Sequence, residues 1–126
     1  MSETLTFANP QVQRLRRLLG RRSSRSEEGA FVVEGVTLVQ QAVDAGWVVE
    51  TQFVAAGGAA VDCDAAVLRL GPNVIERVAS TESPQPLLAI VRTRRPAMPA
   101  AASLVLVADR LADPGNAGTM IRSAEA

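Results

Sequence analysis

Segments with a helical spacing of apolar residues alternate with short apolar runs along this chain, and this alternation constrains the fold more than any other feature. From residue 9 to residue 91 the predicted order is helix, strand, helix, strand, strand, helix, strand. Such alternation is typical of α/β domains, in which helices cover a central sheet. We therefore predict a small α/β domain, followed by a linker over residues 93–102 that is rich in Pro, Ala and Arg.

The bounds of the predicted elements follow from caps and periodicity. Asn9 is a good N-cap and Pro10 a good first helical residue, and apolar residues then recur at helical spacing. Helices are predicted over residues 9–22, 36–45 and 71–78, strands over 30–34, 48–56, 67–70 and 87–91, a flexible continuation of the first helix over 23–26, a loop over 59–64, and a polar turn over 80–86.

Positive charge is concentrated at the beginning of the chain. The net charge is zero, yet the first 25 residues hold six arginines and one acid, whereas the other 101 hold seven arginines and twelve acids. This asymmetry suggests an anionic partner, and arginine suits phosphate because it can donate two parallel hydrogen bonds. Arg14, Arg17 and Arg21 share one helical face. That face is either a phosphate-binding stripe or an ordinary solvated surface, and the sequence leaves both interpretations open.

Several classes of site are excluded by composition. The chain has no histidine and one cysteine, Cys63, which rules out a Ser–His–Asp triad, a Cys–His pair and the common zinc sites within it. Cys63 lies between two aspartates, but these three groups do not complete a metal shell, so we predict no metal site. With no internal disulfide possible, no long apolar run and no signal-peptide order at the N-terminus, we expect a cytoplasmic protein without a membrane segment.

The last 24 residues predict the beginning of another folding unit. A short apolar run, Leu104 to Ala108, leads into a polar turn, Asp109 to Asn116, and then into a helical pattern. Strand, turn and helix form the first half of a βαβ unit, whose strand needs a neighbour on each side. Gly115 and Gly118 alone make neither a Walker loop nor a dinucleotide fingerprint.

Taken together and in order, four segments resemble those of SpoU-type (TrmH-like) RNA 2′-O-ribose methyltransferases of the SPOUT class. The last of them is similar to the family's first signature motif, with its Asn and Arg six residues apart. The segments are Asn9-Pro10 before an arginine-rich helix, Phe31-Val-Val-Glu34-Gly35, Thr81-Glu-Ser-Pro-Gln-Pro-Leu-Leu-Ala-Ile-Val91, and Leu106-Val-Ala-Asp-Arg-Leu-Ala-Asp113-Pro-Gly-Asn116-Ala-Gly118-Thr-Met-Ile-Arg122-Ser-Ala.

The resemblance implies a domain organisation. Residues 1–98 would be the RNA substrate-binding domain, a three-layer α/β/α sandwich like certain ribosomal RNA-binding proteins. Residues 99–126 would be a linker and the first strand, turn and helix of a SPOUT domain, an α/β fold with a trefoil knot. The family's cofactor is S-adenosylmethionine, held by second and third motifs that are expected beyond Ala126. We therefore expect no cofactor-binding residue in this chain, no activity from it alone, and a homodimer for the full-length protein.

The resemblance also implies site residues. The reaction is the attack of a ribose 2′-oxygen of ribosomal or transfer RNA on the methyl group of the cofactor, and Asn116 and Arg122 match the catalytic positions of the motif. A guanidinium has no acceptor lone pair, so Arg122 is better suited to grip a phosphate or to stabilise an alkoxide than to act as a base. Simpler roles stay open: a helix cap for Asn116, and an ion pair with Glu125 for Arg122. The residues predicted to bind RNA are Arg14, Arg17, Arg21, Arg22, Arg25 and Glu34.

Two other functions remain possible at this point. The chain can be a non-enzymatic RNA-binding module, or an α/β scaffold whose arginine-rich helix binds another protein. The scarcity of aromatic residues, three Phe, one Trp and no Tyr, argues against a base-stacking platform and favours recognition of RNA shape and backbone.

Overall fold

The computed structural model describes residues 3–79 and 81–126 and divides the chain into two compact units, Met1–Arg94 and Arg95–Ala126. Ser80, the first residue of the predicted turn, lies outside the described residues. Within the described ranges, none of the helices is both long enough and apolar enough to cross a membrane.

The first unit contains every helix and strand that the sequence predicts before residue 92, together with two elements that it does not. The additional elements are the short strand β1 and the second helix, α2. In chain order the elements are β1 (Thr4–Leu5), α1 (Pro10–Gly20), α2 (Arg22–Glu28), β2 (Ala30–Glu34), α3 (Val36–Asp44), β3 (Val49–Val54), β4 (Ala66–Leu70), α4 (Val74–Val78) and β5 (Leu87–Arg92).

The five strands form one mixed sheet in the order β1-β4-β3-β5-β2. Strands β1, β4 and β3 run parallel, and β5 is antiparallel to both of its neighbours. Because side chains alternate between the two faces of a strand, Phe53 and Leu88 pack with α1 and α4, while Val54 and Leu87 pack with α3. This gives helix, sheet and helix layers, and it confirms the predicted α/β/α sandwich.

The core is aliphatic, and the helices contribute to it through single stripes. Helix α1 buries Val12, Leu15 and Leu18 completely, at the spacing that its periodicity predicts. Burial of each such side chain contributes about 1.5–3 kcal/mol to folding. A buried polar residue, Gln52 on β3, donates to the Val61 carbonyl and accepts from the Val61 N–H, both at 2.8 Å. Those two bonds fix the loop that follows β3 to the sheet.

The flexible continuation predicted over residues 23–26 is wrong, because Arg22–Glu28 forms a helix, α2. Its arginine Arg25 donates to the carbonyls of Leu18 and Leu19, at 2.9 and 3.3 Å, and so satisfies acceptors at the end of α1. Gly29, with φ of 62°, ends α2 in the left-handed conformation. These tertiary contacts stabilise a segment that has no apolar periodicity of its own.

In the second unit, residues 104–108, where the sequence predicts a strand, have no strand pairing in the described structure, and Val107 is 76% exposed. A strand requires a hydrogen-bonded neighbour, and the described residues of this unit provide none. Helix α5 (Pro114–Glu125) does form, and it begins two residues before Asn116. Its cap is Asp113, whose carboxylate accepts from the Gly115 N–H at 2.9 Å.

Candidate functional site

A cavity of about 540 Å³ lies between α1 and α4, and its wall is rich in arginine. Residues of α1 and its C-cap, Arg21, form one side, and residues from the end of α4 form the other. The lining residues are Gln13, Arg16, Arg17, Leu19, Gly20, Arg21, Arg77 and Val78.

None of the four cavity arginines has an acidic partner in the described part of the chain. The ion pairs there involve only Arg14 and Arg92, and no acid lines the cavity. Because Arg16, Arg17, Arg21 and Arg77 are all exposed, their donors are available to an anion. The cavity is therefore a concave positive surface.

Phe7 organises two of these arginines. The guanidinium carbons of Arg16 and Arg77 lie 5.6 and 3.6 Å from the centroid of its ring. Both distances are within the roughly 6 Å range of a cation–π contact. The ring restrains the two side chains without neutralising their charge, so that their N–H groups remain free to bind.

Arg14, in contrast, is paired with acids. Its Nε donates to Glu28 at 2.8 Å, and its Nη1 donates to Glu50. These two hydrogen bonds raise the pKa of Arg14, and the bond from Arg14 holds the pKa of Glu50 below its ordinary range. Arg92 Nε is 3.0 Å from the second oxygen of Glu50, without the alignment of a hydrogen bond. This acidic network of Arg14, Glu28, Glu50 and Arg92 joins α1, α2, β3 and β5.

A β-bulge explains how Glu50 reaches Arg14. The register of β3 against β5 shifts between Val49 and Thr51, so Glu50 is the extra residue. Because of this insertion, Val49 packs in the α3 layer although regular alternation would place it on the same face as Thr51 and Phe53. The acid is thereby directed to the α1 side of the sheet.

The structure thus separates the arginines that the sequence groups as RNA-binding residues. Arg17 and Arg21 line the cavity, Arg14 belongs to the acidic network, and Arg25 binds backbone carbonyls. Arg22 is exposed and outside the cavity lining. Sequence reasoning missed Arg16 and Arg77 as cavity residues. The only signal in the sequence was the abundance of arginine in the first helix, since α4 meets α1 only in the tertiary structure.

Glu34 holds a loop rather than facing the cavity. Its carboxylate accepts from the N–H of Gln85 at 2.8 Å, and so anchors the segment before β5 to the end of β2. The next residue, Gly35, has φ of 94°, and a Cβ there would lie 2.2 Å from the Gln85 side chain. The positive φ favours glycine at this position, whereas the flexible Gln85 side chain could move away from a Cβ there.

Asn116 and Arg122 both lie on α5 and are exposed. Six helical residues separate them by about 120° around the axis and about 9 Å along it. Arg122 Nη2 donates to Thr119 Oγ1 at 3.2 Å, and a Cβ at Gly118 would lie 3.1 Å from its Nη1. The guanidinium therefore folds back over Gly118, toward the turn that carries Asn116. In the described residues it has no ion pair with Glu125, and the cap role falls to Asp113 instead of Asn116.

The lining of one cavity in the second unit does not fit S-adenosylmethionine. The cavity there lies between residues 104–106 and α5, and it is lined by apolar side chains with only the hydroxyls of Thr119 and Ser123. No charged side chain lines this cavity to meet the carboxylate, ammonium or sulfonium of the cofactor. Among the described residues there is also no cluster of three potential metal ligands.

Comparison with known proteins identifies the first unit. Residues 9–89 match the MRM3-like substrate binding domain family. The 23S rRNA (guanosine(2553)-2'-O)-methyltransferase RlmP of Bacillus subtilis is 30% identical over 112 residues, which are 83% of this chain and 43% of that protein. The chain therefore spans about half the length of the curated relatives that it matches.

Solved structures agree in fold. A putative RNA methyltransferase of the TrmH family from Porphyromonas gingivalis superposes with a TM-score of 0.70 at 29% identity, over 92% of this chain and 47% of that one. An AdoMet-bound rRNA methyltransferase from Sinorhizobium meliloti superposes with a TM-score of 0.60 at 25% identity, over 75% of this chain and 37% of that one. The similarity to SpoU and TrmH methyltransferases is confirmed, and the chain belongs to the MRM3-like substrate binding domain family through residues 9–89.

Proposed function

We propose that this chain supplies the RNA-binding part and the first catalytic segment of an S-adenosylmethionine-dependent RNA 2′-O-ribose methyltransferase. The observation that carries the proposal is the match of residues 9–89, nearly the whole α/β/α unit, to a substrate-binding domain family. Because similar proteins are named as 23S rRNA methyltransferases, ribosomal RNA is the substrate that we propose. We further propose that the complete protein is a cytoplasmic homodimer.

RNA binding is assigned to the first unit. Its cavity arginines carry charge that no acid of the described residues offsets, and Arg17 and Arg21 were already candidates from the sequence. Arg22 is exposed and adds to the same positive end of the chain. Arg25 and Glu34 support the surface by bonds to the end of α1 and to the loop before β5, and Arg14 supports it through the acidic network.

The catalytic roles are assigned to α5. Arg122 would bind the phosphate next to the reacting ribose or stabilise the oxygen as its proton leaves, because its guanidinium only donates. Asn116, whose side chain makes no hydrogen bond in the described structure, would orient the 2′-hydroxyl or the guanidinium. Positioning of this kind supplies a large part of the rate in transfer reactions. S-Adenosylmethionine would supply the methyl group, and we place its pocket outside residues 1–126.

The test is methyl transfer to ribosomal RNA by the full-length protein. Arg122→Ala is expected to reduce kcat by about 10²–10³, the usual effect of losing a donor to a developing oxyanion. Arg122→Lys keeps the charge but loses the two-pronged geometry, so it should restore only part of the rate. Arg95→Ala is the matched control, an exposed arginine of the same unit outside α5. Normal rates for Arg122→Ala and Asn116→Ala would contradict the catalytic assignment.

A further inference from the structure

We propose that the cavity between α1 and α4 is a clamp for the phosphodiester backbone of RNA, formed by Arg16, Arg17, Arg21 and Arg77. Since RNA is taken as the ligand of the first unit, this inference rests on the proposed function. It adds two arginines that the sequence did not single out, and it specifies what they contact. The clamp binds phosphates and fixes the position of the RNA, while the bases are recognised elsewhere.

The cavity concentrates positive charge. Four like charges around one cavity repel one another, and no carboxylate of the described residues relieves that repulsion. The same helix shows the alternative: Arg14, one turn from Arg17, is satisfied by Glu28 and Glu50. A chain that neutralises one arginine with two acids and leaves four others free has a surface suited to an external polyanion.

Two of the cavity arginines are restrained before any ligand binds. Phe7 holds the guanidinium groups of Arg16 and Arg77, and both project from helices that are anchored in the core, α1 by Leu15 and Leu18 and α4 by neighbouring apolar residues. Side chains restrained before binding lose less conformational freedom when they bind. The two arginines are therefore prepared to contact adjacent phosphates.

The cavity suits the backbone of RNA rather than its bases. No aromatic residue lines the cavity, and Phe7 is occupied by two guanidinium groups. Stacking of bases needs a free aromatic face, so the cavity offers none of the platform used by single-strand readers. Contacts to phosphate carry no sequence information, and affinity from the clamp should be independent of base sequence.

Gly20 allows a charge test without removing any arginine. It lies in the cavity wall at the end of α1, its φ is not positive, and a Cβ there meets nothing within 4 Å. Gly20→Glu places a carboxylate among the arginines, whereas Gly20→Gln places a side chain of the same size without charge. The pair isolates electrostatics from sterics. Arg16→Gln/Arg77→Gln is the second, independent variant, with Arg69→Gln as its control on β4 outside the cavity.

The experiment measures binding of the full chain to a transcript of 23S ribosomal RNA over a series of potassium chloride concentrations. The plot of the logarithm of the association constant against the logarithm of the salt concentration has a negative slope. Its magnitude should decrease by about 1 for Gly20→Glu and by about 2 for Arg16→Gln/Arg77→Gln, with Gly20→Gln and Arg69→Gln close to wild type. In the full-length enzyme, the two clamp variants should raise KM for RNA by a larger factor than they lower kcat at saturating RNA. Circular dichroism melting confirms that each variant is folded.

The outcomes separate the two proposals. RNA binding that is salt-dependent in the wild type and unchanged in both clamp variants would overturn the clamp and leave the proposed function in place. Absence of RNA binding by the wild type would overturn both. Equal losses for Gly20→Gln and Gly20→Glu would show that shape rather than charge matters, against the clamp. Tighter binding of poly-glutamate than of RNA at matched charge would also count against it, since it would indicate an acidic protein ligand.

Discussion

Replacement of Glu50 by Gln is expected to destabilise the first unit by about 2 kcal/mol. The hydrogen bond from Arg14 to Glu50 is charge-assisted, and the two side chains are only 21% and 27% exposed. Loss of this bond should therefore lower the free energy of unfolding by about 1.5–3 kcal/mol. Arg92 is 52% exposed and adds at most about 1 kcal/mol. Glutamine recovers a part of this by accepting from Arg14 with its amide oxygen. For a unit of this size the melting temperature should fall by roughly 8–16 °C.

The assay is urea unfolding of wild type and Glu50→Gln, followed by circular dichroism at several pH values. Because the pKa of Glu50 is lowered from its ordinary value of 4.5, the folded state holds the charged form more strongly than the unfolded state does. The stabilisation is thus fully present above pH 4.5 and is lost as the pH falls through the lower folded-state pKa. The difference between the two proteins should shrink in that acidic range.

Glu27→Gln is the matched control, since Glu27 is an exposed acid of α2 without an ion pair in the described structure. It should change stability by no more than about 0.5 kcal/mol. If Glu50→Gln is as stable as Glu27→Gln at neutral pH, or if its deficit persists unchanged at acidic pH, the network does not stabilise the fold as described.

Three further predictions address the loops and the catalytic segment. Gln52→Leu leaves the buried N–H and C=O of Val61 without partners and should cost about 3 kcal/mol in urea unfolding; a loss below about 1 kcal/mol would contradict the described bonds. Gly58→Ala places a Cβ 2.3 Å from the carbonyl oxygen of Pro86, so the free energy of unfolding should fall by about 1–3 kcal/mol and the melting temperature by several degrees. An unchanged melting temperature would refute that close approach. Gly118→Ala should stabilise α5 by up to about 1 kcal/mol yet lower methyl transfer, because the new methyl crowds Arg122; unchanged activity would mean that Arg122 acts from another position.

The sandwich could be predicted from the sequence because its signals are local. Apolar periodicity identified α1, α3 and α4, and short apolar runs identified four of the five strands. Strand β1 was missed because it has two residues and depends on pairing with β4. Residues 104–108, where a strand is expected, are unpaired in the described structure, since an apolar run becomes a strand only where another strand accepts its hydrogen bonds.

The site could be predicted only in part. Helical spacing grouped Arg14 with Arg17 and Arg21, but spacing alone cannot reveal that a bulge in β3 directs Glu50 to Arg14. The contribution of Arg77 was invisible because it depends on how α4 packs beside α1. Sequence similarity did identify Asn116 and Arg122, whose roles stay predictions. The structure adds that Arg122 folds back over the helix toward the turn of Asn116.

The most direct test of the proposed function is a map of ribose 2′-O-methylation in ribosomal and transfer RNA from cells that lack the full-length gene. We predict the loss of 2′-O-methylation at a specific ribose of 23S ribosomal RNA. Wild-type protein should restore it, and protein carrying Arg122→Ala should not. A methylation map identical to that of the parent cells would contradict the account.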